Sequence, residues 1–226
     1  MSNRPSTSLH LSPGDRLVFL GDSLTSRGAL PGGYVTLVAE AVHRAFPDGS
    51  VQVFGAGVSG DRVPGCLRRL DHDVLRHRPT IVFIYIGIND VWHWDRGMGT
   101  GEEEYGAGLR DLVARIQAAG ARVILATPSV VGEKTEGTNP RDGMLETYAG
   151  ISRGVCEETG SHLLDLRRSF LEYLNVHNPE NRKEGILTGD GVHLNGAGNR
   201  FVAEQVIRVL GLNQFAAGIK LENSHG

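Results

Sequence analysis

Short apolar runs alternate with amphipathic helical patterns along most of this 226-residue chain, and the alternation limits the folds it can adopt. Most of the runs are rich in Val, Ile and Leu over their whole length, which is typical of parallel strands covered on both faces. Strands are predicted at residues 16–20, 50–54, 80–86, 122–126 and 162–166. Helices are predicted at residues 33–46, 63–77, 102–119, 141–159 and 195–210.

This alternation predicts a parallel sheet, because right-handed crossovers place helices on both of its faces. We expect an α/β fold, a flavodoxin-like three-layer α/β/α sandwich with a five-stranded parallel sheet in the order 2-1-3-4-5. A single domain is predicted over residues 14–212, with polar tails at 1–13 and 213–226. In this order the carboxyl ends of strands 1, 2 and 3 lie side by side, about 4.8 Å from strand to strand. Residues that follow these strands must therefore share one small patch.

Charge and composition argue against several classes of protein. Lys and Arg number 23 and Asp and Glu 26, so the net charge of −3 indicates no nucleic-acid partner. No apolar stretch is long enough to span a bilayer, so we expect no integral membrane association. Residues 1–13 lack the apolar core of a secretory signal, and we expect a cytoplasmic protein, with a removed leader as the alternative. The sequence leaves open whether the protein forms a homo-oligomer.

The two cysteines, Cys66 and Cys156, lie within predicted helices and do not have the spacing of metal ligands. We expect them to behave as small buried apolar residues rather than to form a disulfide.

Segments that contain candidate catalytic residues follow the first three predicted strands. Another such segment precedes the last predicted helix. Ser23 follows strand 1, a glycine-rich turn with Gly60 follows strand 2, and Asn89 follows strand 3. Asp190 and His193 come before the last helix. Ligands bind outside the carboxyl ends of parallel strands, so these residues are candidates for one site.

Ester hydrolysis needs an activated nucleophile and donors for the developing oxyanion. A serine hydroxyl is a weak nucleophile, and His193 is the candidate base for Ser23. Asp190 can fix the tautomer of that histidine. The candidate oxyanion donors are the backbone N–H groups of Ser23 and Gly60 and the side-chain amide of Asn89, each worth about 2.7–4 kcal/mol in such sites. These residues predict a serine carboxylic ester hydrolase that uses an acyl-enzyme intermediate and no metal or organic cofactor.

The same segments resemble the sequence blocks of the SGNH (GDSL-type) hydrolase superfamily of esterases and lipases. The matching blocks are G-D-S-L-T from Gly21, S-G-D from Ser59, G-I-N-D from Gly87 and D-G-V-H from Asp190. The resemblance implies that the four name-giving residues are Ser23, Gly60, Asn89 and His193, in the order of the family. It extends from strand 1 to the helix after His193.

Two positions depart from the pattern of many members of that superfamily. Gly55 stands where many relatives carry asparagine, and Leu194 stands where many carry proline. Neither departure affects a candidate catalytic or oxyanion residue. The departures therefore leave open to which subfamily the chain belongs.

Two tryptophans close to Asn89 bear on the substrate. Trp92 and Trp94 can line an acyl or sugar pocket, with simple loop packing as the alternative. The compact chain without a lid segment favours short-chain (acetyl) esters of small alcohols or carbohydrates. The resemblance leaves a lysophospholipase or thioesterase open as well. From another class, a non-catalytic carbohydrate- or ester-binding module on the same fold is the competing hypothesis.

Three carboxylates also follow the predicted strands, at Asp22, Asp61 and Asp90. Such a set could indicate a magnesium-dependent phosphotransferase or phosphoesterase. We favour capping and turn roles, with Asp22 bracing the oxyanion turn and, like Trp92 and Trp94, a candidate substrate-binding residue. The loops at residues 128–140 and 178–189 are expected at the rim of the same site.

Overall fold

The computed structural model describes residues 9–135, 137–216 and 218–219 and has one central sheet. The five strands are all parallel and lie in the order β2-β1-β3-β4-β5. They are β1 Arg16–Gly21, β2 Gln52–Gly57, β3 Ile81–Tyr85, β4 Arg122–Ala126 and β5 His162–Leu164. The predicted fold class and strand order are confirmed.

Helices connect and flank these strands. Over the described residues they are α1 Ser23–Gly28, α2 Tyr34–Ala45, α3 Val63–Asp73, α4 Ile88–Trp92, α5 Glu102–Ala118, α6 Asp142–Thr159, α7 Leu166–His177 and α8 Gly196–Val209. Helix α2 packs with α8, and α5 packs with both α3 and α6. Shorter 3-10 turns lie at Leu75–His77, Trp94–Arg96 and Asn213–Phe215. In this part of the chain, no helix is both long and apolar enough to cross a bilayer.

The central strands are buried on both faces, as their unbroken apolar sequences predict. Every residue of β3 is buried, and Phe19 of β1 lies beside Phe83 of β3 in the parallel register. The centroids of these two rings are 5.2 Å apart, and Tyr34 of α2 packs edge-on against both. This aromatic cluster joins a helix to the two strands that precede Ser23 and Asn89.

Two predicted strands differ from the observed ones by more than one residue at a boundary. Strand β2 was expected at 50–54 but continues through the glycines to Gly57, which pairs with Gly21 of β1. Glycine has low strand propensity, so the sequence of residues 55–57 indicates a turn. In the structure, the backbone of these residues continues the pairing of β2 with β1. Strand β5 was expected to reach residue 166 but ends at Leu164, because Asp165 begins a helix.

Helix α7 was not predicted. The Asp165 side chain accepts a hydrogen bond from Arg168 N and caps the first turn. Leu166, Phe170 and Leu174 are buried at a spacing of four residues, which is the signal that could have found the helix. Two short helices, α1 and α4, also occupy segments that were expected to be turns or loops, and Trp92 is the last residue of α4.

Close packing at the carboxyl end of the sheet requires glycine at two paired positions. A Cβ atom at Gly21 would collide with Thr25 Oγ1 and Tyr85 O. One at Gly57 would collide with the backbone nitrogen of Ser26. These glycines therefore allow α1 to lie directly on the ends of the strands.

Packing reaches into parts of both predicted tails. Leu9 is buried and its backbone N–H donates to Val209 O at 2.7 Å. Ala216 and Ile219 are buried as well, whereas residues 1–8, 217 and 220–226 lie outside the described residues. Cys66 and Cys156 are free, buried thiols, and burial raises the pKa of Cys156 to about 12.

Candidate active site

Ser23 is the first residue of α1, directly after β1. The Asp22 side chain caps this helix by accepting a hydrogen bond from Leu24 N at 2.9 Å. The first N–H groups of a helix have no partner within it, so the Ser23 N–H points out of the helix end. Only 7% of Ser23 is exposed. The strand, the cap and the helix together fix the direction of its hydroxyl group.

A continuous hydrogen-bonded chain joins Ser23 to the two predicted partners. Ser23 Oγ lies 3.0 Å from Nε2 of His193, and Nδ1 of His193 lies 2.7 Å from Asp190 Oδ2. The Val192 and His193 N–H groups donate to the other oxygen of Asp190. Burial alone would raise the pKa of Asp190, but the hydrogen bonds from His193 and Val192 outweigh it and lower the pKa. An ionised partner on Nδ1 leaves Nε2 free to accept a proton from the serine.

The segment that carries Asp190 and His193 is a small hairpin-like turn. Thr188 and Leu194 pair as an antiparallel bridge, and Gly189 N donates to His193 O at 2.8 Å. Gly191 at the tip has a φ of +84°, a conformation that favours glycine. Because the chain reverses within three residues, the Asp190 carboxylate reaches the His193 ring in the same turn.

The remaining candidate donors lie on neighbouring strand ends that are tied together by hydrogen bonds. Val58 N donates to Gly21 O at 3.1 Å, which fixes the turn after β2 to the end of β1. Gly60 within that turn has a φ of +78°. Asn89 Nδ2 donates one hydrogen to Asp61 O at 3.0 Å. An amide nitrogen carries two hydrogens, so Asn89 retains a second for a substrate oxygen.

Arg69 of α3 is a residue that sequence reasoning missed. Its guanidinium group donates to Gly21 O at 2.8 Å, to Ala56 O at 2.7 Å and to Asp61 Oδ2 at 2.7 Å. It therefore connects the ends of β1 and β2 with the turn that holds Gly60. The spacing of Arg69 and Asp73 indicates only an ordinary helical ion pair, so the sequence carries no signal for the other contacts.

Each of the three carboxylates at the strand ends accepts at least one hydrogen bond within the protein. Asp22 caps α1, Asp61 accepts from Arg69, and Asp90 Oδ1 accepts from Val63 N at 3.2 Å. Burial raises the pKa of Asp22 to about 7 and that of Asp90 to about 6. Only 1% of Asp22 is exposed, which favours the bracing role over contact with substrate. Across residues 9–135, 137–216 and 218–219, no group of three or more His, Cys, Asp or Glu side chains could hold a metal ion.

A cavity of 370 Å³ adjoins the Asp190 turn. Both predicted rim loops line it, together with Trp92; the residues include Lys134, Asn139, Lys183, Asp190 and Val192. The ring of Trp92 meets that of His193 edge-on, with centroids 5.8 Å apart, whereas Trp94 is 43% exposed on the next turn. An ion pair between Asp95 and Arg141 joins the tryptophan segment to the start of α6.

The sequence profile of the GDSL-like Lipase/Acylhydrolase family matches residues 19–201. The chain belongs to this family. All five predicted catalytic and oxyanion residues fall inside the matched segment. Membership confirms the predicted resemblance, and the protein is a carboxylic ester hydrolase.

Three similar proteins are esterases by name. The acetylxylan esterase of Geobacillus stearothermophilus is 30% identical over 219 residues, which cover 90% of this chain and 97% of that protein. The crystal structure of the acetyl xylan esterase AlAXEase superposes with a TM-score of 0.84 at 36% identity and covers 86% of this chain and 99% of that one. The isoamyl acetate-hydrolyzing esterase 1 homolog of Rattus norvegicus is 26% identical over 83% of this chain and 78% of its own.

Proposed function

We propose that this protein is a serine esterase that removes acetyl groups from esters of small alcohols or carbohydrates. The observation that carries the proposal is the chain of contacts from Ser23 Oγ to His193 Nε2 at 3.0 Å and from His193 Nδ1 to Asp190 at 2.7 Å. Both distances are within hydrogen-bond reach, as a nucleophile, its base and an orienting carboxylate require.

In the first half of the reaction, Ser23 Oγ attacks the carbonyl carbon of the ester while His193 Nε2 accepts the hydroxyl proton. The carbonyl oxygen gains the charge and is held by the Ser23 and Gly60 N–H groups and by the free hydrogen of Asn89 Nδ2. The bond to the alcohol oxygen then breaks, and His193 donates its proton to that oxygen. The products are a free alcohol and an acetylated Ser23.

In the second half, His193 removes a proton from a water molecule, and the resulting nucleophile attacks the acetyl carbonyl carbon. The same donors hold the oxyanion. The bond to Ser23 Oγ breaks and His193 returns the proton to the serine. Acetic acid leaves, and the site is restored.

Two observations bear on the substrate: the first supports an acetyl group, and the second supports a polar leaving alcohol. The relatives named for a substrate carry the names of acetylxylan esterases or of an isoamyl acetate-hydrolyzing esterase homolog, and both kinds of name denote an acetyl ester. The 370 Å³ cavity beside Asp190 combines the Trp92 indole with Lys134, Asn139 and Lys183, and this mixture of apolar and polar groups suits a carbohydrate or another polar leaving alcohol. We place the leaving alcohol in this cavity, whose Trp92 ring centroid lies 5.8 Å from that of His193.

The test compares the wild type with Ser23→Ala on p-nitrophenyl acetate, butyrate and octanoate. We expect the acetate to give the highest kcat/KM, and Ser23→Ala to lower kcat by about 10³-fold or more. Ser26→Ala, on the same helix, is the matched control and should retain activity. Equal rates for the wild type and Ser23→Ala would overturn the proposal. A preference for octanoate would favour a lysophospholipase or thioesterase.

Two further measurements distinguish this esterase from a binding module and from a phosphoesterase. A fluorophosphonate should label Ser23 in the wild type, whereas a non-catalytic binding module would bind saccharide esters and remain unlabelled. Esterase activity that survives EDTA would exclude a phosphoesterase dependent on a divalent ion.

A further inference from the structure

Glu133, on the loop after β4, is a fully buried carboxylate with 0% exposure. Its Oε1 atom accepts hydrogen bonds from Leu187 N at 2.7 Å, Thr188 N at 2.6 Å and Thr188 Oγ1 at 2.9 Å. Its Oε2 atom accepts one from Ile186 N at 2.7 Å. One side chain thus satisfies three consecutive backbone N–H groups and a hydroxyl group.

This arrangement organises a segment that lies outside every helix and named strand. A buried carboxylate is costly unless its oxygens are hydrogen-bonded, and here both oxygens are. Successive N–H groups that converge on one anion form a concave backbone shape, which the anion holds in place. The conformation of residues 186–188 therefore depends on Glu133.

Residues 186–188 lead directly into the turn that carries Asp190 and His193. Thr188 pairs with Leu194 across that turn, and Gly189 N donates to His193 O. The neighbour of Glu133 contacts the tip as well, because Gly132 N donates to Gly191 O at 2.7 Å. The loop after β4 thus holds both the entry to the turn and its tip.

We propose that Glu133 is a positioning residue, which sets the place of His193 relative to Ser23 through the 186–188 segment. This inference rests on the proposed function, in which His193 is the base. Glu133 is 54 and 55 residues away from Leu187 and Thr188 in sequence, and its carboxylate touches neither Ser23 nor His193 in its four hydrogen bonds. Its effect on the reaction is therefore indirect.

Replacement by glutamine predicts a specific defect. The amide oxygen of Glu133→Gln can still accept from Leu187 and Thr188, but the amide nitrogen then faces the Ile186 N–H, and two donors repel. The segment must shift to separate them. A displacement of about 1 Å in a reacting group can cost about 10²-fold in rate.

The variant should nevertheless fold, because other contacts hold the same segment. Asn195 Nδ2 donates to Ile186 O and Thr188 O, and Asn195 N donates to Leu187 O. Asn178 Nδ2 donates to the backbone oxygens of Glu133 and Arg182. These bonds keep the loops together while the precise register of the turn changes.

The experiment measures kcat and KM for p-nitrophenyl acetate, the rate at which a fluorophosphonate labels Ser23, and Tm. For Glu133→Gln we expect kcat and the labelling rate to fall about 10²-fold with KM unchanged within about twofold. Thr188→Val removes one of the four hydrogen bonds and should give a smaller loss. If Glu133→Gln does not fold, Thr188→Val carries the test.

The matched control is Asp15→Asn. Asp15 is also a buried carboxylate with several hydrogen bonds, from Ser12 N and Thr80 Oγ1, but it lies at the opposite end of the sheet. This substitution should lower Tm and leave kcat of the folded protein unchanged. If Glu133→Gln or Thr188→Val behaves in the same way, the inference is wrong.

A double-mutant cycle provides the second criterion. In a His193→Ala background, Glu133→Gln should cause no further loss of the residual activity, because the group it positions is gone. Additive losses would overturn the inference. An active Ser23→Ala variant would instead refute the proposed function, so the two failures are distinguishable.

Discussion

Asp22 combines a capping role with two properties that are unusual for a carboxylate. It caps α1 through Oδ1, its Oδ2 has no hydrogen-bond partner among the described residues, and it is almost fully buried. Burial raises its pKa from 3.8 to about 7, and the carboxylates of Asp90 and Asp61 add to the increase. A neutral carboxyl group costs less to bury than an unpaired charge. The N-cap of α1, the helix that begins with Ser23, is therefore a carboxyl group that binds a proton below about pH 7.

This protonation predicts a pH-dependent stability. Between about pH 4 and 7 the folded protein keeps a proton on Asp22 that the unfolded chain releases, so the free energy of unfolding falls as pH rises. The contribution of Asp22 is complete below its unfolded pKa of 3.8 and is lost as pH rises through about 7. It amounts to about 4 kcal/mol over that interval.

The measurement is urea unfolding from pH 4 to 8. Asp22→Asn keeps the cap and removes the titration, so its stability should fall less steeply with pH than that of the wild type. Asp111→Asn, on the exposed side of α5, serves as the control and should follow the wild type. Parallel curves for the wild type and Asp22→Asn would contradict the prediction.

Among the elements, α3 contributes to the site although it carries no catalytic group. Its Arg69 contacts the carbonyl oxygens at the ends of β1 and β2 and the carboxylate after β2. The N-terminus of the same helix is joined to Asp90, next to Asn89, through Val63 N. The position of the turn that carries Gly60 relative to Ser23 thus depends on one helix, which contacts groups at three strand ends.

Arg69→Lys tests this connection. A lysine ammonium is a point charge and cannot reproduce the forked contacts of a guanidinium group. We expect kcat/KM for p-nitrophenyl acetate to fall about 10- to 100-fold, and the free energy of unfolding to fall by about 1–3 kcal/mol. Arg68→Lys, the exposed neighbour on α3, should change neither value. Unchanged kcat/KM in Arg69→Lys would show that the helix does not set the donor geometry.

At the scale of the whole molecule, the buried centre of the sheet supports the site. Phe19, Tyr34 and Phe83 lie in one cluster that joins α2, β1 and β3. Close packing transmits a change in side-chain volume to neighbouring elements. The cluster therefore holds the strands whose ends carry Ser23 and Asn89.

Phe83→Ala should lower the free energy of unfolding by about 3–5 kcal/mol, because it removes a fully buried ring and leaves a cavity. Leu163→Ala, on edge strand β5 with 40% exposure, is the control and should cost less than half as much. The urea midpoint of each variant provides the comparison. Equal losses in the two variants would show that the centre of the sheet is not the main source of stability.

Local patterns in the sequence determined the fold class and the residue types of the site. Apolar runs without alternation indicate strands covered on both faces, as in β3, and the parallel order follows from the helices between them. Ser23, Asn89 and the Asp190 to His193 turn could be predicted because each lies within a short motif next to a strand or helix. Backbone propensity and chain connectivity are local properties, so one sequence contains them.

The tertiary structure alone decided which distant groups hold those residues in place. Arg69 meets Gly21 O over 48 residues, and Glu133 meets Leu187 N over 54. Neither residue lies in a motif. From the sequence alone, a carboxylate in a loop such as Glu133 is expected to be solvated, and only the structure shows that residues 186–188 pack against it. Such contacts depend on how separate loops lie in space, whereas Gly21-Asp22-Ser23 is adjacent in the chain. The sequence therefore determined the candidate catalytic groups, and the packing of distant segments decided how they are positioned.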